Sequence, residues 1–304
     1  MYLEHYGLSE KPFAITPDPD FLVLLPKHRE ALAMLEYGVF EQSGITLITG
    51  EVGCGKTTLL RHLIRRVPPG EITLGLISNV HASMGSLLSW VLDSLGIHTG
   101  DDGASDAALF RQLQKFLVDE YASNRRVVII VDEAQNMDAE TLEELRMLTN
   151  INADKDQLLQ VVLAGQPELL ETLTREVMAQ LAQRVTAEYH LPALTQGETA
   201  YFIRERLRIA GAEAELFNVD AISLIYYCSG GVPRLINTLC DHALVLGYAR
   251  NAQEIDFELA MEAVKGKRIG GVLRFGKRPE DAGSVRQKLE ERFGLDLEQS
   301  LESL

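Results

Sequence analysis

Residues Gly50-Glu51-Val52-Gly53-Cys54-Gly55-Lys56-Thr57-Thr58 fit the spacing G-x-x-x-x-G-K-[ST]. Glycines at these positions let a backbone wrap so that successive N–H groups point inward at phosphate oxygens, and a following helix adds its positive N-terminal end. Lys56 would reach the β- and γ-phosphates, and the Thr57 hydroxyl would help to hold Mg²⁺. A second cluster closes the apolar run Val127-Val128-Ile129-Ile130-Val131 with Asp132 and Glu133. Two adjacent carboxylates at a strand end allow a division of labour, with Asp132 on the metal side and Glu133 polarising an attacking water. Such a pair by itself is more often a turn or a helix cap. Its position downstream of a phosphate loop favours binding and hydrolysis of ATP with Mg²⁺.

These groups need elements that hold them. The phosphate loop follows a β-branched run at Ile45–Thr49 and precedes the helix-like Thr57–Arg66, which is the strand–loop–helix order its chemistry requires. Further strands are expected at Ile72–Ser78, Val127–Val131, Gln160–Ala164 and Ala187–Leu191, and helices at 28–40, 84–95, 105–122 and 139–150. Strands alternating with helices of this length predict an α/β domain, a parallel sheet flanked by helices, over residues 28–192. After Pro192 the apolar positions of 199–209, 221–227, 233–249 and 256–264 recur at helical spacing, so a small all-helical domain is expected over 193–268. Asp256, and either Asn218 or Asp220, are candidate helix caps.

Residues 1–27 contain Pro12, Pro17, Pro19 and Pro26, each of which disfavours helix in its predecessor, and an extended lead-in is expected there. Lys265–Arg278 holds six basic residues, no acid and four glycines, the composition of a flexible basic connector. From Ser284, Val285, Leu289 and Phe293 share one face of an amphipathic tail that Leu295, Leu297, Leu301 and Leu304 could continue, so connector and tail are expected over 269–304. That tail suits docking on its own domain or a neighbour; a membrane surface or a partner is the alternative.

Composition narrows the rest. The chain has 304 residues, 46% hydrophobic and 24% charged, which is the balance of a globular protein with a real core. A formal charge of −15 removes any broad attraction to DNA or acidic lipid, so such contact would have to be local. No apolar run approaches the roughly 18 residues that span a bilayer, the N-terminus lacks the pattern of a signal peptide, and membrane contact is expected to be peripheral at most. The three cysteines, Cys54, Cys228 and Cys240, lack C-x-x-C spacing, which argues against a disulfide framework or a zinc site and favours a cytoplasmic location.

The order of the phosphate loop, the Asp132-Glu133 strand end, Gly165-Gln166-Pro167-Glu168-Leu169, Gln180-Leu181-Ala182-Gln183-Arg184 and Gly231-Val232-Pro233-Arg234 resembles an AAA+ ATPase. More narrowly, Met1-Tyr2-Leu3-Glu4-His5-Tyr6-Gly7-Leu8, Lys11-Pro12-Phe13 with Pro17-Asp18-Pro19, and His28-Arg29-Glu30-Ala31-Leu32 are similar to the general secretion pathway protein A (ExeA) family, over residues 1–268. The resemblance implies a P-loop core with a helical lid. It also implies roles for three more residues: Gln166 as a sensor of the attacking water or γ-phosphate, Arg184 (or Arg175) as a finger reaching a neighbouring subunit's nucleotide, and Arg234 as a lid sensor. Phe13 and His28-Arg29 lie where such a family contacts adenine, although Phe13 is equally suited to a core. The implied function is Mg-dependent ATP hydrolysis by a homo-oligomeric ring or filament that repositions a protein client in secretion, envelope assembly or exopolysaccharide export. A DNA-associated ATPase of the TniB/MuB transposition type and a low-turnover nucleotide switch are the alternatives.

Overall fold

The computed structural model describes residues 1–16, 18–41, 44–68, 70–78, 86–98, 105–153, 156–267 and 279–302. Among the described residues seven strands form: β1 (Ile45–Gly50), β2 (Ile72–Ile77), β3 (Arg126–Val131), β4 (Asn152–Ala153), β5 (Asp156–Gln157), β6 (Leu159–Gly165) and β7 (Val185–Leu191). Five of them join in one sheet of order β2-β3-β6-β1-β7, all neighbours parallel, while β4 and β5 make a separate antiparallel pair. The burial pattern follows this order. The inner strands β1 and β6 are buried along their whole length and β3 at all but its first residue, whereas the edge strands β2 and β7 mix buried with exposed positions. Continuous Val/Ile/Leu runs are what a parallel sheet covered on both faces demands.

The chain divides into two compact units. One comprises residues 26–50 and 59–191 and contains the sheet. Because strand side chains alternate between faces, Ile45 and Leu47 of β1 join the core shared with the helices Leu87–Ser94, Asp106–Ala122 and Ala139–Leu148, and Thr46 turns the other way. There the helix Pro26–Phe40 lies close over β1: a Cβ on Gly38 would stand 1.7 Å from Thr46 Oγ1, so only glycine permits the approach. All five strands of the expected sheet are present in the expected order along the chain. The predicted start of the 84–95 helix, Met84 and Gly85, lies outside the described residues.

The other unit comprises residues 1–25, 51–58 and 192–304. Its centre is the helix Val219–Ser229, buried continuously from Ala221 and packed among Gln196–Ile209, Pro233–Ala249 and Phe257–Gly266. The caps are local and satisfy N-terminal N–H groups that lack helical partners. Asn218 and Asp256 accept from the N–H of Ala221 and Leu259, and Thr195 with Glu198 forms a reciprocal capping box. Between the two candidates for the second helix, the cap is Asn218.

The N-terminal segment departs from the extended lead-in expected over 1–27. Residues 1–25 are folded into the helical unit, with a one-turn helix at Tyr2–His5 and a 3₁₀ turn at Pro19–Phe21. Prolines restrict the local backbone but not burial, and the aromatics of this segment fill the helical core: Tyr2, Tyr6, Phe13 and Phe21 are all buried. The Tyr2 hydroxyl donates to Asp241 Oδ1 at 2.6 Å, and Arg206 Nε donates to the Pro12 carbonyl at 2.5 Å while its guanidinium lies 5.1 Å from the Phe21 ring centroid. Burial pushes the Arg206 pKa down to about 10, and the charge survives because that carbonyl and ring receive it.

The tail also joins this unit. The helix Ala282–Phe293 packs on Val219–Ser229 through Val285 and Leu289, Phe293 stacks on Phe257 with ring centroids 3.7 Å apart, and Arg292 pairs with Asp220 at 3.0 Å. A second short helix follows at Leu297–Glu302. Most of the basic connector, residues 268–278, lies outside the described residues, as do Pro17 and Leu304.

Candidate active site

Parallel strands end together, and in this sheet the ends that matter are neighbours. β6 lies between β1 and β3, with Thr49 opposite Gly165 and Val131 opposite Leu163. Gly50, Asp132 and Gln166 therefore emerge side by side at the carboxyl edge. With adjacent strands about 4.8 Å apart, the outer two of these three chain ends are separated by roughly 10 Å. This is the edge at which open parallel sheets bind ligands. β7 brings His190 to the same edge, where its Nδ1 is 3.0 Å from Thr49 Oγ1.

The loop that continues from Gly50 turns at Gly53 (φ +84°) and Gly55 (φ +108°), both in the left-handed region that favours glycine, and the helix Lys56–Arg66 begins directly after. Lys56 is buried, and its Nζ donates to the Glu51 carbonyl at 3.1 Å and approaches Cys54 Sγ at 4.0 Å. A buried ammonium at the start of a helix, beside a glycine-turned backbone, is a donor set suited to phosphate oxygens. Cys54 is buried, and burial pushes its thiol pKa up against the opposing pull of the Lys56 charge. Arg234, exposed in the first turn of Pro233–Ala249, donates its backbone N–H to the Gly53 carbonyl at 3.1 Å. A Cβ at Gly53 would stand 2.6 Å from Arg234 Cβ, so the loop and the predicted lid sensor are in direct contact.

On β3 the two carboxylates differ. Asp132 is buried, with its N–H bonded to the Ile77 carbonyl at 2.8 Å and its Oδ1 accepting from the Glu133 N–H at 3.0 Å. Glu133 is only partly buried and sits in the left-handed region (φ +57°), which is sparsely populated for a residue with a Cβ and turns its side chain out of the strand direction. Its Oε2 accepts from Gln135 Nε2 at 2.7 Å and from Gln166 Nε2 at 3.4 Å, and Gln135 Oε1 accepts from the Gln166 backbone N–H at 3.0 Å. The structure thus brings together Glu133 and Gln166, to which the resemblance gave separate roles, and adds Gln135, for which sequence reasoning had no role. The only signal for it was proximity to the acidic pair.

Arg184 is elsewhere. It precedes β7 at the opposite, amino edge of the sheet, where its carbonyl accepts from Ile45 N–H at 3.1 Å. Its guanidinium donates to the Thr149 carbonyl at 3.4 Å and to Asn150 Oδ1. It borders an open, polar hollow that also includes Arg146, Gln157, Gln180 and Gln183. Arg175, the fallback, is exposed between the helix Pro167–Leu173 and the 3₁₀ turn Glu176–Met178. Phe13 is a core residue in edge-to-face contact with Phe217, with ring centroids 6.1 Å apart, which removes it as a free adenine platform. His28 is buried.

Residues 40–173 match a family described as an AAA domain. General secretion pathway protein A of Aeromonas hydrophila is 40% identical over 288 residues, which cover 94% of this chain and 52% of that protein, so the chain spans about half the length of this relative. Among solved structures, the Aeropyrum pernix ORC2 protein in its ADPNP–ADP complexes superposes with a TM-score of 0.64 at 19% identity, covering 86% of this chain and 73% of that one. The Aeropyrum pernix ORC1 protein in complex with DNA gives a TM-score of 0.60 at 18% identity, covering 93% and 81%. At such identities these two likenesses show the fold alone.

Proposed function

We propose that this chain is a P-loop ATPase of the AAA+ class, as its AAA-domain match and its similarity to general secretion pathway protein A support, and that it works as a homo-oligomer whose Mg-dependent ATP hydrolysis repositions a protein client in a secretion, envelope-assembly or exopolysaccharide export pathway. The observation that carries the catalytic part is the Glu133 carboxylate, held by two amides at the sheet edge from which the phosphate loop departs. The backbone N–H groups of residues 50–58 and the Lys56 ammonium bind the phosphates. The Thr57 hydroxyl and the Asp132 carboxylate hold Mg²⁺, which when bound supplies charge neutralisation to the phosphate oxygens.

Glu133 orients a water and accepts its proton as the water oxygen bonds to the γ-phosphorus. The bond from that phosphorus to the β,γ-bridging oxygen breaks, ADP leaves with the electron pair, and the proton passes on to the phosphate product. Gln166 senses the water or γ-phosphate, and Arg234 reports phosphate occupancy to the helical unit. A nucleotide can drive motion only through its different affinities for the arrangements it selects.

Similarity to general secretion pathway protein A supports the choice of pathway. No helix among the described residues is long and apolar enough to cross a membrane; a cytoplasmic place, peripheral to the membrane, belongs to the proposal. A second reading, an ATPase that handles DNA, is favoured by one feature, the basic segment Lys265–Arg278, and opposed by the net charge of −15. Hydrolysis measured with and without magnesium over a range of protein concentrations tests the proposal. The specific rate is expected to rise with concentration as subunits assemble and complete each other's sites. A rate per chain independent of concentration would remove the oligomeric part, and no turnover at all would leave a nucleotide switch. Duplex DNA affinity that requires ATP and falls steeply with salt would move the assignment to the second reading.

A further inference from the structure

The contacts of Gln135 reach further than its neighbourhood in sequence. It lies in the 3₁₀ turn Ala134–Asn136, directly after the acidic pair, and both ends of its amide are engaged. The Gln166 backbone N–H can only donate, so the atom that faces it at 3.0 Å is Oε1. That leaves Nε2 to donate to Glu133 Oε2 at 2.7 Å. The side chain is also fenced in: a Cβ on Gly165 would stand 3.1 Å from Gln135 Oε1 and 2.6 Å from Leu169 Cδ2, so the chain beside it is glycine. Both amide donors on Glu133 meet the same oxygen, Oε2, and among the described residues Oε1 has no partner.

We propose that Gln135 is a positioning residue for hydrolysis: it fastens one oxygen of Glu133 to the end of β6 and so presents the other to water. The two glutamines then have different duties. The Gln135 bond is short and braced from behind by a backbone amide. The Gln166 bond, at 3.4 Å, is long, and its amide can turn to a water or phosphate without releasing the carboxylate. A carboxylate free to rotate would spend most of its time misaimed, and misplacement of a catalytic group by an ångström costs roughly 10²-fold in rate.

This inference rests on the reading of Glu133 as the base, and the test separates the two. Full-length protein carrying Gln135→Leu, Gln135→Glu, Glu133→Gln, or Gln135→Leu with Glu133→Gln is compared for kcat, KM for ATP and affinity for a slowly hydrolysed ATP analogue. Gln135→Glu keeps the acceptor for the Gln166 N–H and replaces the donor to Glu133 with a like charge, so it decides the matter if Gln135→Leu fails to fold, because wild-type turnover without that donor is incompatible with the proposal. Both Gln135 single variants are expected to lower kcat by roughly 10- to 100-fold, with analogue affinity unchanged. The double variant is expected to be no slower than Glu133→Gln alone, because residues that act as a unit are not additive. Wild-type kcat in Gln135→Glu, or losses that multiply in the double variant, would overturn the inference while leaving Glu133 as base. Wild-type turnover in Glu133→Gln would overturn both.

Discussion

Replacing Glu133 with Gln is expected to leave ATP binding intact and to stop turnover. The amide keeps the volume of the carboxylate and can still accept from Gln135 or Gln166, so the sheet edge retains its shape, but it cannot take a proton from water. General-base catalysis contributes typically about 10²- to 10⁴-fold, and kcat should fall by that factor while affinity for a slowly hydrolysed analogue stays within about twofold, since the phosphates are held from the loop. Equal loss of binding and turnover would contradict the division between a loop that binds and a carboxylate that reacts. Asp132 gives the contrast. It is buried and assigned to the metal, so Asp132→Asn should weaken the magnesium dependence of binding as well as turnover.

Arg184→Ala is expected to lose roughly 10³- to 10⁵-fold in kcat, the range in which arginine fingers contribute, and the loss should be repaired by a neighbour. The geometry of the sheet carries this prediction. Arg184 precedes β7 at the amino edge, whereas Gly50, Asp132 and Gln166 leave the carboxyl edge. β1 has six residues, and at about 3.3 Å per residue the two edges are roughly 20 Å apart. A guanidinium at one edge does not serve the same chain's phosphates at the other. Arg184→Ala subunits retain a complete loop and base, and Glu133→Gln subunits retain the finger. Mixing the two inactive proteins should therefore restore part of the rate, through interfaces where the one supplies the base and the other the arginine. No recovery on mixing would reject a role across subunits, and full activity of Arg184→Ala alone would reject the finger.

The parts of this molecule that were legible in sequence are those fixed by local chemistry. The phosphate loop announces itself because the turn needs glycine at particular steps and the phosphates need a lysine after it. The strands were found because an inner parallel strand is buried on both faces and so becomes an unbroken apolar run, as at Val127–Val131. Asp256 was recognisable as a cap for the same local reason, and Asn218 as one of two candidates with Asp220. What stayed hidden depends on which distant segments become neighbours. Gln135 and Gln166 are 31 residues apart, and their bond exists because β6 is laid beside β3. The sequence predicts both strands but not their adjacency. The N-terminal residues misled for a related reason: prolines report the local backbone, while the burial of Tyr2 and Phe13 depends on partners such as Asp241 and Phe217, more than 200 residues further on. The helix Pro167–Leu173 is not among the expected helices because its seven residues are too few to show a clear period.

Everything proposed for the finger, the sensors and Gln135 depends on the loop from Gly50 and the pair Asp132-Glu133 serving one metal-bound triphosphate. The most direct measurement is an equilibrium titration of the purified chain with ATP, with and without magnesium, repeated for Lys56→Ala and Asp132→Asn. Saturable binding that magnesium strengthens, that Lys56→Ala abolishes, and that loses its magnesium dependence in Asp132→Asn is the predicted result. Binding indifferent to magnesium and to both substitutions, or no binding of ATP by the intact chain, would contradict it.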